Sequence, residues 1–292
     1  MNILYAADRS SGGCFSLAVV RMRGPVRHSG HVQDRYAGDL GDYLKFGLLR
    51  RLAPPGSSAS PQLGVVWYRT ADEAHNSDGK HVAYLDPGHQ SSAHLRQLDP
   101  DLYQRLARVV DSGQRSTAAL ANVGVLDART CFFNDLLDFA DLPVTARSAR
   151  QQRRRAWAQR ALAATSGCDL IFADPDNGIR PGSHRVPAHR TKATKHAYLD
   201  ELAAFAARGQ SLIVYHHADR TAGVEQQARR RLADLARDVP IQPIAAVRAS
   251  RGTVRLFLVG AATTSHAGYL TERLTGLQHS PWGAELAVQW AD

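Results

Sequence analysis

The chain has 292 residues, 44% of them hydrophobic and 22% charged, with a formal charge of +9 from 36 basic and 27 acidic side chains. That apolar content can bury a sizeable core, which excludes a globally disordered chain, and no run of about 18 apolar residues offers a membrane span. Cys14, Cys131 and Cys168 are too few and too scattered for a disulfide framework or a zinc site, and residues 1–24 lack the pattern of a signal peptide. A cytoplasmic protein with no membrane partner is expected, and the basic excess favours a polyanionic partner, nucleic acid. Only Lys45, Lys80, Lys192 and Lys195 are lysines, against 32 arginines. In so Arg-biased a chain, a surviving lysine marks a candidate position where a forked guanidinium does not serve.

Residues 1–32, rich in Gly, Ser and Arg, show no sustained period and read as a disordered extension to one α/β domain over 33–292. Leu40, Leu44, Leu48 and Leu52 lay an apolar stripe on a first helix, with Asp39 as its cap. Asp39, Asp42 and Lys45 then share one face. Leu63–Tyr68 reads as a buried strand, followed by a polar loop holding Asn76-Ser-Asp78-Gly79. A helix is expected over Leu98–Val110 and a short strand over Thr130–Phe133, ending at Asn134-Asp135. Arg147–Ala164 is a helix with six arginines and no acid, which could track a phosphate backbone. Asp169–Ala173 is a second buried strand, running into Asp174-Pro175-Asp176-Asn177-Gly178. Proline after a strand fixes the exit geometry and would aim the flanking polar groups into one crevice. The helix Tyr198–Ala207 closes at Gly209. Ser211–Tyr215 is a third buried strand, ending at His216-His217. A helix over Gly223–Arg237 and a hairpin of Ile241–Val247 with Val254–Val259 complete the reading.

Strands alternating with helices imply a mostly parallel sheet covered on both faces, with ligands beyond the carboxyl ends of the strands. The terminal antiparallel hairpin points to the Rossmann-like methyltransferase form of this three-layer sandwich.

The order of these blocks resembles the bacterial large-subunit ribosomal RNA adenine-N6 methyltransferases. Their opening motif, His-Ala-Gly-Asn-x-x-Asp-x-x-Lys-His, is similar to Tyr36-Ala-Gly-Asp-Leu-Gly-Asp-Tyr-Leu-Lys45-Phe46. Their tetrad Asp-Pro-Pro-Tyr corresponds to Asp174-Pro175-Asp176-Asn177, and the likeness runs over about residues 36–220. It implies S-adenosylmethionine as cofactor and a nucleobase amine as acceptor, in RNA rather than DNA. Asp174 and the Pro175 carbonyl would orient the amine, with Asp176 and Asn177 completing the catalytic tetrad. Asp135 would bind the cofactor's adenine, and Asp78 and Gly79 its amino-acid end. Lys45 would pair with the cofactor carboxylate or a phosphate. Tyr36, Asp39, Asp42, Tyr215, His216 and Arg154 are the expected substrate contacts. Two departures stand out. The Gly-rich turn after the first strand is missing, and the tetrad lacks the aromatic residue that stacks on a flipped base, leaving Tyr36, Tyr215 or Trp67 to substitute.

Two other classes fit the same residues. A Mg²⁺-dependent nuclease or phosphohydrolase would use Asp174 and Asp176 as ligands, and no dedicated transition-metal site is expected. A non-catalytic nucleic-acid-binding relative would keep the fold and lose the cofactor. As a residue ending a strand, Asp174 is expected to matter little for folding, less than about 1 kcal/mol on change to Asn.

Overall fold

The computed structural model describes residues 34–70, 81–180 and 187–291. The extension 1–32 and the turn holding Asp78 and Gly79 lie outside the described residues.

Seven strands form one mixed sheet: β1 Leu63–Trp67, β2 Cys131–Phe133, β3 Leu170–Asp174, β4 Ser211–His217, β5 Gln242–Ala249, β6 Arg255–Ala261 and β7 Leu286–Trp290. Their spatial order is β2-β1-β3-β4-β6-β5-β7. The first four are parallel, and β6 enters antiparallel between β4 and β5. A third antiparallel pairing adds β7 outside β5, so the expected hairpin is part of a three-stranded antiparallel half.

Alternation along the strands sorts the side chains into two cores. Val65, Trp67, Leu170, Phe172, Ile213, Tyr215, Phe257 and Val259 meet one layer of helices. That layer comprises α1 Leu40–Leu52, α2 Ser92–Leu98, α3 Pro100–Asp111, α4 Thr117–Asn122 and α8 Thr264–Gln278. Val66, Tyr68, Ile171, Ala173, Leu212, Val214, Leu256 and Leu258 meet α5 Arg147–Ala164, α6 Leu199–Ala206 and α7 Val224–Asp238 on the other face. Residues two apart share a face in a pleated strand, so both cores follow from the near-continuous apolar runs of a sheet covered on both sides.

The expected helix over Leu98–Val110 is α3, starting at Pro100, and Leu98 instead ends a separate helix, α2, that was not expected. Asp99 leaves the helical region, caps α3 through Leu102 N–H at 3.0 Å, and is followed by Pro100 in the first turn. Proline disfavours helical geometry in the residue before it, which forces the break there. The helix α4, the helix α8 and strand β7 were not anticipated. Among the described residues no helix is long and apolar enough to cross a membrane.

α1 begins as the spacing predicts. Asp39 accepts from Asp42 N–H at 2.9 Å and caps the helix. The helix is seated by Trp282, whose indole lies against Gly47 and stacks on Tyr43 with centroids 5.4 Å apart. A methyl group at Gly47 would fall 2.1 Å from the Trp282 ring, so glycine is what allows this approach.

Candidate active site

The parallel strands open onto a cavity of about 490 Å³ at their carboxyl ends, within the usual size range of ligand pockets. Strand parity decides what lines it. Trp67, Asp174, Tyr215 and His217 all fall on the α1 side of the sheet, Trp67 and Tyr215 as the last core positions of β1 and β4, and Asp174 and His217 two residues beyond the last core positions of β3 and β4. β6 runs the other way, so its first residue, Arg255, reaches the same edge opposite His217. The start of α1 forms the facing wall with Tyr36, Asp39, Asp42 and Lys45.

At the base, Lys45 bridges the two halves of the sequence. Its Nζ is 2.8 Å from Asp174 Oδ2 and 3.0 Å from Asp42 Oδ1. The other Asp42 oxygen accepts from Gly38 N–H at 3.1 Å. Burial alone would lower the lysine's pKa, but Asp174 and Asp42 together hold it above its ordinary value, so the ammonium stays charged. Burial raises the Asp174 carboxyl above the carboxylate range, against the pull of Lys45. Burial, followed by the neighbouring Asp42 charge, pushes Asp39 up to about 6.

The tetrad itself is tied to a second segment. Asn177 N–H donates to the Lys195 carbonyl at 2.9 Å, and Lys195 Nζ stands 3.8 Å from Asp176 Oδ2. Gly178 follows with φ of +87°, packed so tightly on His216 that a Cβ would lie 2.6 Å from the His216 Cα. Only glycine takes that backbone conformation without strain, and here it lets the tetrad pass over β4.

The expected site residues fall into three groups. Asp174, Pro175, Asp176, Asn177, Lys45, Tyr36, Asp39, Asp42 and Tyr215 come together around the cavity. Asp78 and Gly79 lie outside the described residues. Asp135, Arg154 and His216 lie elsewhere and are corrected as follows. Asp135 is exposed and paired with Arg160 of α5 at 2.7 Å, on the outer side of the sheet edge, so it cannot hold a cofactor's adenine in the cavity. Arg154 is buried. It donates to Glu201 Oε1 at 2.6 Å and to the carbonyls of Ala193 and His196, each at 2.6 Å, and it stacks on Tyr198. Its charge is spent inside the protein. His216 points to the α7 side, where its Nδ1 accepts from Ile179 N–H and burial, then Arg231, lowers its pKa to about 3. The neighbouring His217 takes the cavity position, as period-two alternation requires. Lys45 is also reassigned, from a cofactor or phosphate contact to the partner of Asp174.

The helix α5 is likewise less of a basic face than its sequence suggests. Arg150 and Arg154 are buried donors to backbone carbonyls, and Arg153 and Arg160 pair with Asp141 and Asp135.

His217, Lys195 and Arg255 are among the cavity residues that sequence reasoning did not place. Lys195 carried a signal, its survival as lysine. Arg255 carried none before the direction of β6 was known. Its guanidinium covers Gly41, where a side chain would collide with it at 2.7 Å, and donates to the Thr253 carbonyl at 2.7 Å.

No family model matches the chain, and no curated protein is significantly similar to it.

Proposed function

We propose that the chain is an S-adenosylmethionine-dependent methyltransferase acting on a nucleobase amine, in RNA rather than DNA. The observation that carries this reading is the grouping of Tyr36, Trp67 and Tyr215 around the Asp174-Pro175 pair in one cavity. The tetrad has no aromatic residue of its own, and these three rings, contributed by other elements, are in reach of a flat ligand held at Asp174. Tyr36 is the best placed to stack, being half-buried, whereas Trp67 already stacks on Phe132 at 5.1 Å. The antiparallel strand between β4 and β5 supports the Rossmann-like methyltransferase version of the fold.

The chain's residues fit the cofactor in part. The cavity is large enough, and its aspartates Asp39, Asp42, Asp174 and Asp176 are largely offset by Lys45, Lys195 and Arg255, so the lining offers a sulfonium cation only a small acidic excess. The adenine contact expected from Asp135 is absent from the cavity. When bound, S-adenosylmethionine supplies an electrophilic methyl group. Asp174 would accept a hydrogen bond from the exocyclic amine, and the Pro175 carbonyl a second, turning the nitrogen lone pair toward the carbon. Lys45 pulls against the burial that raises Asp174 and so favours its acceptor form. Direct transfer of this kind needs alignment more than acid–base work.

The Mg²⁺-dependent hydrolase reading gains less from the same wall. Asp174 and Asp176 stand near each other, but each faces a lysine, and a divalent ion would have to displace both ammonium groups. Among the described residues no three His, Cys, Asp or Glu side chains gather in a way that could hold a metal ion. These donors do not fit the ion.

The test is calorimetric titration with S-adenosylmethionine and, separately, with Mg²⁺, followed by transfer of a labelled methyl group to RNA. Binding and transfer lost together in Asp174→Asn but retained in measurable part by Asp176→Asn support the proposal. Mg²⁺ binding abolished by Asp176→Asn, with no S-adenosylmethionine binding, would replace it with the hydrolase.

A further inference from the structure

The segment from Asn177 to Leu199 carries no acidic residue, while it contains Arg180, Arg190, Lys192 and Lys195. Two of the chain's four lysines are here. The loop is closed at its base beside the tetrad. Ala197 N–H donates to Gly178 O at 3.0 Å, Arg180 N–H to Ala197 O at 2.9 Å, and Asn177 N–H to Lys195 O at 2.9 Å. Its descending limb, residues 187–195, is held from below by the buried arginines of α5. Arg150 donates to His189 O at 3.0 Å, and Arg154 donates to the carbonyls of Ala193 and His196. Three inward-facing carbonyls clamped by two guanidinium groups fix the limb's backbone. Arg190 and Lys192 are left exposed, and Lys195 enters the cavity.

Positive charge also collects beneath the limb's start. Desolvation, then Arg147, Arg190 and Arg150, push the His189 imidazole below its ordinary value. A rigid, acid-free limb whose last cation stands at the mouth of an aromatic-lined cavity is a track that ends where a base could enter.

We infer that residues 187–195 form the docking strap for the phosphate backbone of a single nucleic-acid strand, with Arg190 and Lys192 on successive phosphates and Lys195 at the cavity mouth. This rests on the proposed function only for the nature of the entering base. It moves the nucleic-acid contact from the outer face of α5, where Arg150 and Arg154 are buried and Arg153 and Arg160 pair with acids, to the segment that α5 holds in place.

The experiment uses the full chain and a short fluorescent single-stranded RNA of mixed sequence, titrated over a series of salt concentrations. Neutralising two phosphate contacts on a single strand removes about 1.4 from the logarithmic salt slope, roughly 0.7 per phosphate. Arg190→Gln/Lys192→Gln should therefore flatten the slope by about that amount and weaken low-salt binding about tenfold. The melting temperature should stay within the wild-type range, because both side chains are exposed. The charge-matched pair Arg229→Gln/Arg230→Gln, exposed on α7, should leave slope and affinity near wild type. The strap is overturned if the strap pair binds RNA as wild type does, if the α7 pair weakens binding as much, or if polyglutamate competes as well as RNA. RNA binding that depends on the strap in a chain that does not bind S-adenosylmethionine would keep the strap and remove the methyl-transfer reading. S-adenosylmethionine binding without any RNA binding would do the reverse.

Discussion

Lys45 is the residue on which the cavity's charge balance turns. It faces two buried carboxylates, so removing Lys45 strips both of their cation, while removing Asp174 leaves Lys45 paired with Asp42 alone. The expectation that Asp174→Asn would hardly affect folding therefore gives way. Breaking a buried ion pair typically costs about 3–5 kcal/mol, and with Asp42 still in place the change should cost about 2 kcal/mol. Denaturant unfolding at neutral pH measures this, and an unchanged midpoint would show that the pair adds nothing. In Lys45→Met/Asp174→Asn the two losses should fall short of their sum, as a double-mutant cycle would reveal. Asp39 gives a pH signature. Its folded pKa, about 6, exceeds the ordinary 3.8, so the native state holds the proton more tightly than the unfolded chain. The associated stability is fully present below about pH 4 and is lost as pH rises through about 6. Asp39→Asn keeps a competent cap and removes the charge, so it should match wild type at pH 4 and exceed it at pH 7.5 by about 1–2 kcal/mol. Thermal unfolding at both pH values checks this, and equal or lower stability at pH 7.5 would refute it. The grouping of Asp39, Asp42 and Lys45 was legible because helical spacing is local. That Lys45 reaches Asp174, 129 positions away, was not, since no pattern in one segment encodes its tertiary partner.

At the level of elements, parity and direction placed the side chains that sequence reasoning placed differently. His216 and His217 carry the same chemistry, and the pleat sends only His217 to the cavity. Arg255 arrives because β6 runs antiparallel. Neither the register of β4 nor the order of the strands can be read from a continuous apolar run, which lacks the alternation that marks a half-exposed strand. α5 was read to its last residue, yet two of its six arginines, Arg150 and Arg154, turn inward and clamp the 187–196 segment from beneath. α8 was readable, with Thr263 as cap and Ala267, Leu270, Leu274 and Leu277 on one side, while β7, only five residues long and half-buried, gave little signal. Two element-scale predictions follow from this geometry. Arg154→Met should destabilise by about 3–5 kcal/mol, because Glu201 is left buried without its partner, with Arg154→Lys recovering only part of the loss. Gly178→Ala combines a positive φ with a backbone collision and should cost about 3 kcal/mol or more. Both are read by chemical denaturation, and an alanine at 178 tolerated without loss would mean that β4 and the tetrad can move apart.

For the whole molecule, the alternating strands and helices made an α/β sheet covered on both faces legible before any coordinates, because each buried run is long and bounded by breakers. The three-stranded antiparallel half was seen only as a hairpin. A ligand that occupies the cavity joins α1, β3, β4 and β6, so it should stabilise the protein globally. At a concentration of about 100 times its Kd, S-adenosylmethionine should add about 2.7 kcal/mol and raise the melting temperature by roughly 5–10 °C. No shift at saturating concentration would count against the proposed cofactor. The seat of α1 has a different consequence, one for the chain as it leaves the ribosome. Trp282, which fits against Gly47 and donates its indole N–H to the Leu98 carbonyl, follows every cavity residue in the chain. Until it is made, the helix that presents Lys45 rests on α3, α8 and the sheet without this support, although every cavity residue is already in the chain. A nascent chain that stops short of Trp282 would therefore carry every side chain of the cavity, with α1 less firmly seated beside them.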